Sequence, residues 1–185
     1  MQEKKNTIKV LIVDDSAFMR KIIADIISSD STIEVVGIAK NGAEALEKVK
    51  SLKPDVITLD VEMPVMDGLT CLKEILKISR IPVIMLSSFT KEGADATIKA
   101  LELGAVDFIP KPTNIFEQSG QETIKEIISK IKIARNIKVL EDFKAAKTIL
   151  DRKTVVQPTQ KGTEINTRKG TERQTSVTSV PKTDS

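Results

Sequence analysis

Five short apolar runs punctuate the chain, and each is followed by a polar or glycine-bearing break and then by apolar residues three or four apart. Ile8 to Val13, interrupted by Lys9, is the first run and ends at Asp14-Asp15-Ser16. Met19, Ile22, Ile23, Ile26 and Ile27 follow at helical spacing, so a helix is predicted from near Ser16. Glu34 to Ile38 is a second strand, and Asn41 or Gly42 opens a helix carrying Ala45, Leu46 and Val49. The third run, Asp55 to Asp60, lies between Pro54 and Pro64 and reads as a buried strand. Pro64, Asp67 and Gly68 make a loop before Leu69, Leu72 and Leu76 mark the third helix. Pro82 to Leu86 is a fourth strand ending at Ser87-Ser88, and Ala94, Ile98 and Leu101 define a helix that stops at Gly104. Val106 to Ile109 is a fifth strand, closed by Pro110-Lys111-Pro112.

Strands alternating with helices of about ten residues imply an α/β fold with a parallel sheet and helices on both faces. A fifth helical pattern starts near Gln121 with Ile124, Ile127, Ile128 and Ile131 and runs without a breaker through Ile137, Leu140, Phe143 and Leu150. The expected organisation is a domain over 8–135, a helical extension over 136–150 and a disordered tail or linker over 151–185. The tail is rich in Thr, Ser, Lys and Gln and holds too few apolar residues to bury itself. An apolar stripe that outruns the core needs another surface, so dimerisation through 121–150 is an expectation of the pattern.

Composition changes this picture in three places. The chain has no histidine, which removes Ser-His-Asp catalysis, imidazole zinc sites and any phosphohistidine of its own. The net charge of +3 belongs to the tail: residues 151–185 hold seven Lys/Arg and four Asp/Glu, leaving 1–150 neutral, so no nucleic-acid surface is expected on the domain. A single cysteine, Cys71, among Leu69, Leu72 and Leu76, excludes a disulfide framework and suits a reducing cytoplasm. No run reaches the roughly 18 apolar residues of a membrane span, and the polar start lacks a signal-peptide core.

In a parallel sheet all carboxyl ends share one edge. That edge collects Asp14 and Asp15 from the first strand, Asp60 from the third, Ser87 from the fourth and Lys111 from the fifth. Taken singly, each has a structural use: Asp14, Asp15 or Ser16 as the cap of the first helix, Ser87 as that of the fourth, Lys111-Pro112 as a surface turn. Taken together they bring a carboxylate nucleophile, an acidic pair suited to Mg²⁺, a hydroxyl and a lysine to one place, which is what phosphoryl transfer to aspartate requires.

The segments Val13-Asp14-Asp15-Ser16, Leu59-Asp60-Val61-Glu62-Met63-Pro64-Val65-Met66-Asp67-Gly68, Met85-Leu86-Ser87-Ser88 and Gly104-Ala105-Val106-Asp107-Phe108-Ile109-Pro110-Lys111-Pro112 resemble the receiver domain of two-component response regulators. The resemblance implies a flavodoxin-like doubly wound sheet of five parallel strands, order 2-1-3-4-5, with five helices. It implies that Asp60 is phosphorylated by a sensor histidine kinase, that Asp14, Asp15, Asp60 and the backbone carbonyl of Glu62 bind Mg²⁺, and that Ser87 and Lys111 contact the phosphoryl group. Ser87 and Phe108 would then form the switch, with Ser87 supplying a free hydroxyl, and the fourth helix, fifth strand and fifth helix would face a downstream protein target. The wording is most similar to the N-terminal receiver of chemotaxis protein-glutamate methylesterase. The sequence departs from that enzyme in having no histidine and no Gly-x-Ser-x-Gly turn, so it reads either as a stand-alone receiver or as the regulatory part of a longer methylesterase, and not as an esterase itself. An aspartyl-phosphate phosphatase is the rival reading; Glu62 occupies its acid/base position, but the acidic pair has no role in it. An inert interaction module would not need the full set, and a dinucleotide-binding fold lacks its glycine motif.

Overall fold

The structure, a computed structural model, describes residues 7–88, 90–112 and 120–153, with side chains as far as 138. Five strands, β1 (Ile8–Val13), β2 (Ile33–Ala39), β3 (Val56–Asp60), β4 (Val83–Ser87) and β5 (Asp107–Pro110), alternate with α1 (Ala17–Ser28), α2 (Gly42–Leu52), α3 (Gly68–Ile78), α4 (Lys91–Leu103) and α5 (Gly120–Lys153). The sheet has the order β2-β1-β3-β4-β5, and every pairing is parallel. Parallel neighbours need a crossover, and α1 to α4 supply them.

Residues alternate between the two faces of the sheet, as period two demands. Leu11, Ile57, Leu59 and Met85 pack with Ala45, Leu72 and Ile75 on the face covered by α2, α3 and α4. Val10, Ile12, Ile84 and Ile109 pack with Ile23, Ile27, Ile127 and Ile131 on the face covered by α1 and α5. Because both faces are covered, β3 and β4 are buried at every position, which explains their continuous apolar runs.

Local caps set where the helices begin. Ser16, Asn41, Asp67 and Thr90 each accept a backbone N–H from three residues on, at Met19, Glu44, Thr70 and Gly93. Of the three candidates for the first cap it is Ser16, and the fourth helix is capped by Thr90 and not by Ser87. The last strand begins at Asp107, one residue later than expected, although the N–H of Val106 still bonds the carbonyl of Val83 at 2.9 Å.

α5 is one continuous helix across the division expected at 135/136. Its inner stripe, Ile127, Ile131 and Ala134, is buried, and its cations tie it to the domain: Lys132 to Asp30 at 2.6 Å, Arg135 to Asp55 at 3.4 Å. The side chains of Leu140, Phe143 and Leu150, and residues 154–185 of the expected tail, lie outside the described residues.

Candidate functional site: an acidic pocket at the carboxyl edge of the sheet

Asp60 is the last residue of the central strand and is 1% exposed. Asp14 is the first residue past β1; it is completely buried and takes the Ser16 N–H on Oδ1 at 2.8 Å. Lys111 reaches in from the end of β5, its backbone N–H fixed to the carbonyl of Ser87 at 2.8 Å. Its Nζ lies 2.7 Å from Asp60 Oδ2 and 3.2 Å from Asp14 Oδ2. These are ion pairs by distance, yet neither oxygen receives a well-directed hydrogen bond. Asp15 is exposed and completes the group: one carboxylate oxygen from each of Asp14, Asp15 and Asp60 lies within 4.8 Å of the others.

Burial dominates the electrostatics. It pushes the Asp60 carboxyl up to about 6; Lys111 works against that rise and the neighbouring Asp14 adds to it. Burial also raises Asp14, again with Lys111 opposing. For Lys111 burial favours the neutral amine, but Asp60 and Asp14 more than offset it and hold the ammonium above its ordinary range. Three carboxylates against one ammonium leave an excess of negative charge on hard oxygen ligands, two of them buried without directed donors. That donor set fits a divalent cation such as Mg²⁺.

The loop after β3 holds Asp60 in place. Glu62 donates its N–H to Asp60 Oδ1 at 3.3 Å while its side chain faces solvent. Gly68 starts α3 so close to the strand end that a Cβ there would lie 2.1 Å from the Asp60 carbonyl oxygen. No other residue type allows that approach without displacing the backbone of Asp60.

Ser87 ends β4 and is buried, but its hydroxyl is not free. It donates to the carbonyl of Gly93 at 3.1 Å and lies 2.9 Å from the Thr97 hydroxyl, so α4 holds it. The expectation of a free Ser87 hydroxyl is therefore corrected: a serine on a buried strand end beside a helix finds a partner whenever one is in reach. Phe108 is 38% exposed, with the Lys130 ammonium 4.9 Å from its ring centroid. Beside it a cleft of about 400 Å³ opens between β4, β5 and α4, lined by Ser87, Thr97, Ile98, Leu101 and Phe108.

Three side chains near the site, Thr97 on the Ser87 hydroxyl, Lys130 over the Phe108 ring and Arg20 on the carbonyls of Asp14 and Asp15, make contacts that no motif in the sequence marks. Thr97 reads as a polar position of α4, Lys130 as a solvated face of α5 and Arg20 as a cation one turn into α1. The sequence pattern places them on helices but does not say what they reach.

The model of the response regulator receiver domain matches residues 10–118. The chain belongs to the response regulator receiver family. Among curated proteins, a protein-glutamate methylesterase/protein-glutamine glutaminase of Pyrococcus horikoshii is 58% identical over 130 residues, covering 70% of this chain and 35% of the relative. One of the same description from Lawsonia intracellularis is 61% identical over 103 residues, 56% of this chain and 29% of that protein. The chain thus spans about a third of the length of such relatives, the part that is a receiver. Among solved structures, the response regulator domain of Thermotoga maritima CheB is 52% identical with a TM-score of 0.63, over 70% of this chain and 97% of that one. A chain of the CheX-CheY-BeF3-Mg2+ complex from Borrelia burgdorferi is 36% identical, TM-score 0.54, over 63% of this chain and 85% of that one. The flavodoxin-like order expected from the resemblance is the order found, and the likeness to chemotaxis receivers holds across both comparisons. No helix among the described residues is long and apolar enough to cross a membrane.

Proposed function

We propose that this receiver takes a phosphoryl group on Asp60 from the phosphohistidine of a chemotaxis-type sensor kinase and passes the change to a protein target. The observation that carries this is the buried carboxylate of Asp60, 2.7 Å from Lys111 and grouped with Asp14 and Asp15 at the carboxyl edge of the sheet. In the step, an Asp60 carboxylate oxygen bonds to phosphorus as the phosphorus–nitrogen bond of the donor breaks, and the electron pair returns to the imidazole, which takes its proton from solvent. Asp60 must be ionised to attack, and Lys111 favours that form. Asp14, Asp15, Asp60 and the Glu62 carbonyl would hold Mg²⁺, which supplies neutralisation of the charge on the transferring phosphoryl oxygens. Lys111 is then placed to exchange its carboxylate partner for a phosphoryl oxygen.

A new dianion at Asp60 offers strong acceptors to Ser87, which leaves Gly93, and Phe108 turns into the cleft beside it. Burying a phenyl ring is worth roughly 1.5–3 kcal/mol, enough to move a two-state equilibrium ten- to a hundredfold. The face of α4, β5 and α5 is what a partner reads. Nothing in the site calls for nucleic acid or insertion into a membrane, and we place its work in the cytoplasm. The curated relatives extend well beyond this span, so the target is a methylesterase domain on the same polypeptide or a separate protein. Esterase chemistry itself is outside this span, which has no histidine. A phosphatase reading is weaker because Glu62 faces solvent and Asp14 is committed to the buried cluster.

Incubation with acetyl phosphate and Mg²⁺ should add a single phosphate to the intact mass, and Asp60→Asn or EDTA should abolish it. Label that persists in Asp60→Asn would move the nucleophile to Asp14 or Asp15.

A further inference from the structure

Arg20 lies in the first turn of α1 and turns back over the helix N-terminus. One nitrogen, Nη1, donates to the carbonyl of Asp14 at 2.9 Å and to the carbonyl of Asp15 at 2.8 Å. A cation at this end of a helix opposes the helix dipole, so its placement calls for a local reason. Those two carbonyls lie past Val13, where the β1 ladder ends. The carboxylates of the same two residues would be the stronger partners for a guanidinium. Among the described residues Arg20 pairs with neither of them.

We propose that Arg20 is a positioning residue for the acidic pair: by clasping both carbonyls and neither carboxylate, it keeps the two carboxylates grouped with that of Asp60, at the spacing a divalent cation needs. The proposal rests on reading the acidic cluster as a cation site. Asp14 has other restraints, since its N–H bonds the carbonyl of Ala39 at 3.2 Å and its Oδ1 takes the Ser16 N–H. For Asp15 the only hydrogen bond among the described residues is the one from Arg20. Without it, an exposed loop aspartate has several rotamers and backbone turns available, and the cation must select one of them. Groups that orient metal ligands in this way are commonly worth about 10- to 100-fold in affinity.

The opposing effect has the opposite sign. A guanidinium near the site repels a divalent cation, so removing its charge strengthens binding by a factor of a few through solvent. The orienting effect is the larger of the two, and the sign of the change tells them apart.

The test is a Mg²⁺ titration of the full chain at constant ionic strength, followed by amide chemical shifts, for wild type, Arg20→Met and Arg20→Lys. Arg20→Met should bind Mg²⁺ about tenfold more weakly, with Arg20→Lys in between because it can still reach one carbonyl, although its charge continues to oppose the cation. Melting in EDTA should stay close to wild type, which separates positioning from loss of fold. If Arg20→Met binds as tightly as wild type or more so, Arg20 acts only through its charge and the proposal fails. Where Arg20→Met does not fold, Arg20→Gln, with a polar head too short to reach both carbonyls, carries the same two outcomes. A wild-type chain that shows no Mg²⁺ response would overturn the cation site itself, and Arg20's role with it.

Discussion

At Val65 the backbone enters the left-handed region, φ 70°, with a β-branched side chain that is 86% exposed. The tight turn it serves, with the Met66 N–H on the carbonyl of Pro64 at 2.8 Å, leads into Asp67, the cap of α3, and so into Gly68 against Asp60. Left-handed conformation costs a residue with a Cβ about 1–2 kcal/mol, while glycine adds about 0.5–1 kcal/mol of chain entropy to folding. Val65→Gly should therefore stabilise the domain by about 0.5–1 kcal/mol, read as a raised urea midpoint with an unchanged slope. A lowered midpoint would mean that the valine side chain contributes more than its exposure suggests. The strain sits in the loop that follows Asp60, the residue proposed to take the phosphoryl group, where a fixed backbone is worth more than a relaxed one.

α5 has two apolar sides. Ile127 and Ile131 are sealed in the core, while Ile133 and Ile137 are 55% and 37% exposed. The helix is anchored through Lys130, which meets Asp107 at 3.0 Å, and through Lys132 and Arg135. Its backbone then continues about 22 Å past Lys138, at 1.5 Å per residue, to Lys153. An outer stripe on a helix of this length favours a second copy of the same helix, because each copy then buries what the other exposes. Light scattering should show the mass rising with concentration for the full chain, and Ile137→Glu should return it to monomer. A monomeric full chain at high concentration, with and without phosphodonor, would end this reading.

For the whole molecule the buried cluster sets the response to pH. Asp60 sits near 6 when folded and near 3.8 when unfolded, so the folded chain binds more protons between these values. A group that takes up protons on folding makes stability rise as pH falls. In EDTA, stability should increase by on the order of 1 kcal/mol from pH 7 to pH 5, with Asp14, also raised, adding in the same sense. The opposite groups do not enter that window. Hydrogen bonding to Lys132 keeps Asp30 well below the usual carboxylate range, and the Thr70 N–H lowers Asp67. Their contributions are complete above about pH 5 and fade as pH falls toward their folded values. Thermal melts of wild type and Asp60→Asn at both pH values check this; a wild-type slope of the opposite sign would show that Lys111 outweighs burial.

Much of this architecture is written locally. The runs Ile8 to Val13 and Asp55 to Asp60, the caps Ser16 and Asp67, and the stop at Gly104 each depend on a few neighbouring residues. Propensity, capping and period therefore suffice to place the strands and helices, and parallel strands necessarily bring Asp14, Asp15, Asp60, Ser87 and Lys111 to one edge. Motif wording, not periodicity, supplied the strand order. What each side chain does at that edge is non-local. The rise of Asp60 to about 6 comes from layers packed on both faces of β3. The Ser87 hydroxyl is taken by Gly93 because α4 docks beside β4. Arg20 clasps the carbonyls of Asp14 and Asp15, and Lys130 covers the ring of Phe108, because helix packing fixes where long side chains end. Sequence alone determined which groups meet, since chain order and strand polarity decide that. Tertiary structure decided their protonation, their partners and their freedom to move, since those depend on burial and on atoms distant in the chain.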